Sequence, residues 1–183
     1  MKVSVNGREA PLFAVVNLNG QEQVNFQTPW ETETRTAQVV VTRDGLASSP
    51  VEVGVQPVQP GIFELNGGEA IVVRAAGNSL VTPAQPLRPG ELVYIYATGL
   101  GPVDANPGTG NAGPGASLAR ARTSPSVTID GAECEVLFAG LAPDFVGIYQ
   151  VNIRVAPAAR SGQREMVLSS GGVRGKPVRV TLQ

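Results

Sequence analysis

The 183-residue chain contains no histidine and a single cysteine. Without histidine there is no Ser-His-Asp or Cys-His nucleophilic system, and the commonest zinc ligand is missing. Cys134 on its own can form neither an internal disulfide nor a thiolate metal site, so cysteine usage leaves the redox compartment open. Charge is sparse and balanced, 14 Lys and Arg against 15 Asp and Glu, for a net charge of −1. No electrostatic case for nucleic acid or an anionic membrane follows from that balance. No run of apolar residues is long enough for a membrane-spanning helix. There is no phosphate-binding Gly-x-x-x-x-Gly-Lys-[Ser/Thr] loop. Gly99-Leu100-Gly101 resembles the start of a dinucleotide fingerprint, but the third glycine and the following helix are missing. No amphipathic helix is expected either, and Leu118-Ala119-Arg120-Ala121-Arg122 could make one helical turn at most.

What the chain does contain is 22 glycines and 15 prolines that punctuate short valine-rich runs. That is the composition of a turn-rich all-β protein. The clearest strand is Tyr149-Gln150-Val151-Asn152-Ile153-Arg154-Val155, whose apolar and polar residues alternate from face to face. Residues 2–6, 10–16 and 22–28 read as strands, with Asn6-Gly7 as a hairpin turn, a loop at 17–21 and Pro29 as a stop. Residues 37–42 and 48–55 read as a hairpin through Arg43-Asp44-Gly45. Further strands are expected at 69–75, 79–82, 91–97, 126–129, 133–138, 148–155, 165–169 and 176–182. The long Gly/Pro loop 98–125 is expected to be mobile or draped over the sandwich.

The two ends of the chain resemble each other. Val3-Ser4-Val5-Asn6-Gly7-Arg8-Glu9-Ala10 matches Val127-Thr128-Ile129-Asp130-Gly131-Ala132-Glu133-Cys134. Leu12-Phe13-Ala14 matches Leu137-Phe138-Ala139, and Gln23-Val24-Asn25 matches Gln150-Val151-Asn152. Gly45 and Pro50 follow Gln23 at the intervals at which Gly172 and Pro177 follow Gln150. We read this as two copies of one structural unit. Residues 60–126 have no counterpart before the first copy, which then corresponds to the C-terminal half of a module. The abrupt start suggests an excised piece with an added or internal Met1. The expected organisation is a partial immunoglobulin-like module over 1–56, a Pro-rich joint over 57–60 (Pro57-Val58-Gln59-Pro60) and a complete immunoglobulin-like β-sandwich over 61–183. The fold class is all-β, one complete sandwich with a partial copy packed against it. The half-module's open sheet edges predict cover from the other copy or a homodimer through those edges.

Candidate functional residues are few. Trp30 is either a plug at a sandwich edge or a stacking platform for a ligand. The amides of Gln23 and Asn25, and of Gln150 and Asn152, form either a planar array that hydrogen-bonds sugars or another chain, or an internal brace that each copy needs. Calcium, the one cofactor considered, would draw oxygens from Asp104, Asn106, Asn111 and Asp144, although such residues in Gly-Pro loops make their own turns more often. A two-carboxylate glycosidase needs only Asp or Glu, but Glu133 with Glu135, or Asp104 with Asp144, has no supporting pattern. Leu92, Tyr94 and Tyr96 share one strand face, which makes the tyrosines core or sheet surface more readily than a sugar platform. Cys134 matches Ala10, so its slot calls for a small buried side chain.

These motifs also carry a resemblance. Asn6-Gly7-Arg8-Glu9-Ala10-Pro11-Leu12-Phe13, Gln23-Val24-Asn25-Phe26-Gln27-Thr28-Pro29-Trp30 and Pro60-Gly61-Ile62-Phe63 resemble a C-terminal domain family abundant in large secreted proteins of Solibacter and other Acidobacteria. Tyr96-Ala97-Thr98-Gly99-Leu100-Gly101-Pro102-Val103, Ala139-Gly140-Leu141-Ala142-Pro143 and Val146-Gly147-Ile148-Tyr149-Gln150-Val151-Asn152 fit the same pattern. The resemblance implies tandem immunoglobulin-like or TIG-like modules, an extracellular or cell-surface location, and no assigned activity or site. The function it implies is a non-catalytic spacer, adhesion or anchoring domain whose partners are other domains of a parent protein or a cell-surface polymer. The rival readings are a carbohydrate-binding module and a carboxylate-based glycoside hydrolase. Neither nucleic acid nor membrane insertion is expected.

Overall fold

The computed structural model describes residues 1–65 and 67–183, and all regular structure in them is β. The chain divides into two compact units. Unit 1 comprises Met1–Pro57 and Pro107–Ala112; unit 2 comprises Val58–Asn106 and Gly113–Gln183.

Unit 1 contains β1 (Lys2–Val5), β2 (Arg8–Glu9), β3 (Leu12–Leu18), β4 (Gln21–Phe26), β5 (Thr36–Arg43), β6 (Leu46–Ala47) and β7 (Val51–Gly54). Strands β2-β1-β5-β6 pair in that order with β7 also on β5, and β3 pairs with β4 as a separate two-stranded sheet. Turn chemistry explains the hairpins. Asn6 and Gly7 adopt φ of 50° and 79°, and Asn19 and Gly20 adopt 55° and 85°, the double positive φ of a type I′ turn. Because Asn19-Gly20 closes a two-residue turn, β3 and β4 run up to Leu18 and Gln21, into the stretch expected as a loop. The expected strand over 48–55 is also corrected: β6 ends at Ala47 and β7 begins at Val51. The core is small: Val3, Val5, Ala10 and Ala37 are buried, with Val24, Phe26, Val39, Val41 and Val55 packed around them half-buried.

Unit 2 contains β8 (Gly61–Ile62), β9 (Glu64–Leu65), β10 (Glu69–Ala70), β11 (Val72–Arg74), β12 (Leu92–Thr98), β13 (Ser126–Ile129), β14 (Ala132–Leu141), β15 (Tyr149–Arg154), β16 (Gly162–Ser170), β17 (Val173–Arg174) and β18 (Val178–Leu182). They form one continuous ladder in the order β11-β12-β15-β14-β13-β16-β18-β10-β9, with β8 on β12 and β17 on β16. The long strand β14 carries the ladder from one layer to the other. Its first residues pair with β13, and from Glu135 onward it pairs with β15, with a bulge between Val136 and Phe138, a device that bends and twists a strand. The result is sandwich-like. Val93, Ile95 and Ala97 of β12, Val151 and Ile153 of β15, and Ile129, Met166, Leu168, Val178 and Val180 of the other layer are all buried. The expected strand 69–75 breaks at Ile71, and its two parts join different layers. Residues 79–82 make isolated bridges rather than a strand, and 118–122 form no helical turn. Ala119 accepts from Leu141 N–H, and Ala121 donates to Ala139 O, so this stretch follows the β14 edge that β13 leaves free.

The pairings of unit 1 recur within unit 2, residue for residue. Ser4↔Glu9 and Val5↔Arg8 correspond to Thr128↔Glu133 and Ile129↔Ala132. Val3↔Val41 and Val5↔Val39 correspond to Val127↔Leu168 and Ile129↔Met166. Val39↔Val51 corresponds to Met166↔Val178. The bulges fix the equivalence of β3 and β14: the register slips at Phe13 in one and at Leu137 in the other. The alignment of Leu12-Phe13-Ala14 with Leu137-Phe138-Ala139 is therefore out by one residue, and Phe13 corresponds to Leu137. Both bulge residues are exposed, whereas Ala10 and Cys134 share a buried slot. Burial pushes the Cys134 thiol pKa up.

Two close approaches fix the entry to the 98–125 segment. Gly99 has φ of 71°, and a Cβ there would lie 1.9 Å from the Gln59 carbonyl oxygen. Two residues on, the buried Tyr149 hydroxyl donates to Gly101 O. Substituting Gly99→Ala is expected to lower unit 2 stability by about 2–4 kcal/mol. Gly115→Ala, where a Cβ meets nothing within 4 Å, should change it by less than about 0.5 kcal/mol. Denaturant titration followed through tyrosine near-ultraviolet signals checks both. Burial also raises the Tyr149 pKa above its ordinary value of 10.0. The unfolded chain then loses this proton first, so the stability contribution is complete below about pH 10 and falls as pH rises beyond it. Unfolding titrations from pH 8 to 11.5 should show that loss, and it should shrink in Tyr149→Phe. A remainder is expected from Tyr96, raised by burial first and by its neighbour Tyr94.

Candidate functional site

The polar candidates fall into separate places. Trp30 is half-buried and follows β4 through the buried Pro29. Its backbone N–H donates to Thr109 Oγ1 at 2.9 Å, and that hydroxyl donates to Glu31 at 2.7 Å. Gly110 N–H donates to the buried Gln27 side-chain oxygen at 2.8 Å. Segment 107–112 thus belongs to unit 1 through backbone N–H groups meeting short polar side chains. The indole nitrogen of Trp30 is enclosed and finds no acceptor among the described residues. The Thr109 hydroxyl is the leading cause that holds the Glu31 carboxyl below its usual pKa, with Arg8 adding to the effect from 3.8 Å. Beside this cluster, Val5, Asn6, Arg8, Glu31, Thr32 and Glu33 line a depression of about 220 Å³. A second hollow, of about 80 Å³, lies in unit 2 against Leu65, Ala70, Val81 and Val180. Both are smaller than the roughly 300–1,000 Å³ of typical small-molecule sites.

The amides do something the sequence did not suggest. Gln23 Nε2 donates to Asn25 Oδ1 at 2.7 Å, and Gln150 Nε2 donates to Asn152 Oδ1 at 2.7 Å. Each pair bonds along its own strand rather than to a neighbouring loop. In unit 2 the pair faces Tyr96 and Tyr94, which lie opposite Gln150 and Asn152 across the ladder and meet edge to face at 5.6 Å. In unit 1 the same pair is exposed.

The calcium candidates are divided, with Asn111 in unit 1 and Asp104, Asn106 and Asp144 in unit 2. Asp104 Oδ1 accepts from Arg120 N–H, and the Asn111 amide donates to Pro107 O. Among the described residues no three His, Cys, Asp or Glu side chains converge. Glu133 and Glu135 are both exposed, and Glu135 pairs with Arg154 at 3.0 Å.

A third feature emerges when equivalent positions are compared. β15 is paired on both edges, by β14 and by β12, whereas among the described residues β4 is paired by β3 alone. Val151 and Ile153 of β15 are fully buried, but their equivalents Val24 and Phe26 are only half-buried. Val178 and Val180 of β18 are 3% and 2% exposed; Val51 and Val53 of β7 are 59% and 38% exposed. Among the described residues, unit 1 therefore has an unpaired edge on β4 and an exposed apolar strip on β7. Sequence reasoning anticipated open edges without locating them. The signal was present in the alternation of Val51, Val53 and Val55, which copies Val178, Val180 and Leu182.

A scan against protein-family models and a search of curated proteins match nothing.

Replacing Thr109 by valine leaves the Trp30 N–H without its acceptor. The expected loss is about 1–2 kcal/mol from unit 1. Trp30, the chain's one tryptophan, lies in unit 1, and Tyr94, Tyr96 and Tyr149 all lie in unit 2. The tryptophan emission transition should therefore move to lower denaturant while the tyrosine transition stays in place.

Proposed function

We propose that this chain is a non-catalytic, extracellular pair of immunoglobulin-like modules, one complete and one partial, serving as a spacer, adhesion or anchoring segment of a larger secreted protein. The observation that carries the reading is the recurrence of the β1–β7 pairings in β13–β18, down to the position of the bulge. Tandem repetition of one strand unit suits a protein that spans distance or presents surfaces. The family resemblance of the Asn6–Phe13 and Val146–Asn152 motifs supplies the extracellular setting. The exposed strand edge and apolar strip of unit 1 favour polypeptide partners, such as neighbouring domains of the parent protein, over sugars. The carbohydrate reading asks for an open aromatic platform beside the amides. Trp30 is half-buried against the Thr109 and Glu31 cluster instead, and the amides are engaged with each other.

The test is retention of the purified chain on insoluble polysaccharides and a glycan array, in calcium and in chelator. No retention and no release of reducing sugar are expected. Retention that disappears in Trp30→Ala would replace this reading with a carbohydrate-binding module.

A further inference from the structure

The outer edge of β4 has no partner strand among the described residues. Its backbone direction follows from one hydrogen bond: Gln27 N–H donates to Pro11 O, on the β3 side. Donors and acceptors alternate along a strand. Gln21, Gln23 and Asn25 therefore serve β3, while Glu22, Val24 and Phe26 direct their N–H and C=O groups away from it. Among the described residues no strand meets them. An edge of this kind, next to exposed apolar surface, is a template for another strand.

The same molecule shows what fits. On β15, the residues equivalent to Val24 and Phe26 are Val151 and Ile153, and β12 lies antiparallel beside them with Ile95 opposite Val151 and Val93 opposite Ile153. Val93, Ile95 and Ala97 point into the core and are buried, and on the other face Tyr94 and Tyr96 stand opposite Asn152 and Gln150. Strand β4 offers the same three elements: outward backbone groups at Glu22, Val24 and Phe26, an uncovered valine strip on β7, and the Gln23–Asn25 amide pair on its opposite face. The charges on β4 and β5 neutralise each other, with Glu22 and Arg43 at 2.6 Å. A neutral segment complements such an edge.

We propose that the outer edge of β4 is a strand-acceptor site. Its ligand is an extended, uncharged polypeptide segment that adds antiparallel to β4, placing β-branched or small aliphatic residues at alternate positions over Val24, Phe26, Val51 and Val53. Aromatic residues between them cover Gln23 and Asn25. Main-chain hydrogen bonds supply affinity, and the alternate side chains supply selectivity. The inference rests on the reading of the chain as a module that contacts polypeptide.

The experiment titrates the full chain with a synthetic peptide of residues 91–98 (Glu-Leu-Val-Tyr-Ile-Tyr-Ala-Thr), flanked by lysines for solubility. Amide exchange is followed by residue. Exchange at Glu22, Val24 and Phe26 should slow by at least about tenfold, while Val15 and Asn17 on the opposite edge of the hairpin stay unchanged. A peptide carrying V93D and I95D should give no protection. The Val53→Asp chain, altered at an exposed position, should fold and lose the response. Absence of protection at saturating peptide would overturn the proposal, as would equal protection by the substituted peptide. A dimeric chain whose β4 amides are already protected without peptide would overturn it in favour of a second copy as occupant. Failure of the peptide in a chain that no polysaccharide retains removes the strand site and leaves the module reading standing; retention on polysaccharide removes the module reading itself.

Discussion

A strand has two edges of backbone donors and acceptors, and an apolar face where its side chains alternate, and stability rises as each finds a partner. Unit 2 supplies such partners at its centre. Strand β15 has β14 on one edge and β12 on the other, and its inward residues Val151 and Ile153 are removed from solvent. Unit 1 repeats the local pairings without the second neighbour. Positive-φ turns at equivalent positions, an equivalent bulge and the same apolar alternation are present, yet Val51 and Val53 remain uncovered. The difference between the units is thus one of cover, and local sequence does not account for it.

Side chains hold the connections where strands cannot. Arg74 pairs with Glu91 at 2.7 Å and also donates to the carbonyls of Gln85 and Pro86. The second Glu91 oxygen accepts from Arg88 N–H. One half-buried ion pair therefore closes the irregular stretch between β11 and β12, where an unpaired partner would leave a poorly solvated charge. Thr109 and Gln27 do comparable work in unit 1 by accepting from Trp30 and Gly110 N–H groups.

How much of this could be read beforehand depends on the kind of signal. The hairpins at Asn6-Gly7 and Asp44-Gly45 were legible because few residues tolerate paired positive φ, and the composition announced an all-β chain. Register was less legible. Leu-Phe-Ala occurs in both ends of the chain, and that identity pulled the alignment one residue away from the pairing set by the bulges at Phe13 and Leu137. Sheet membership around Ile71 was hidden because a valine-rich run reads the same whichever layer receives each half. The attachment of segment 107–112 was invisible because its Thr109 and Gln27 side-chain acceptors meet backbone N–H groups, which every sequence supplies. Of the candidate residues, the amides were correctly seen to recur, but their bond to each other along the strand depends on side-chain rotamers that no spacing encodes.

Unit 1 is discontinuous: its last piece, Pro107–Ala112, is separated from Pro57 by a long stretch that belongs to unit 2. During synthesis the chain emerges from its N-terminus. The first strands are therefore available while Thr109, the acceptor for Trp30, has yet to be made. Order of emergence and order of completion differ for this protein. Unit 1 spends part of translation with Gln27 and Trp30 unsupported, and it reaches its final form only after its own last piece, Pro107–Ala112, has left the ribosome.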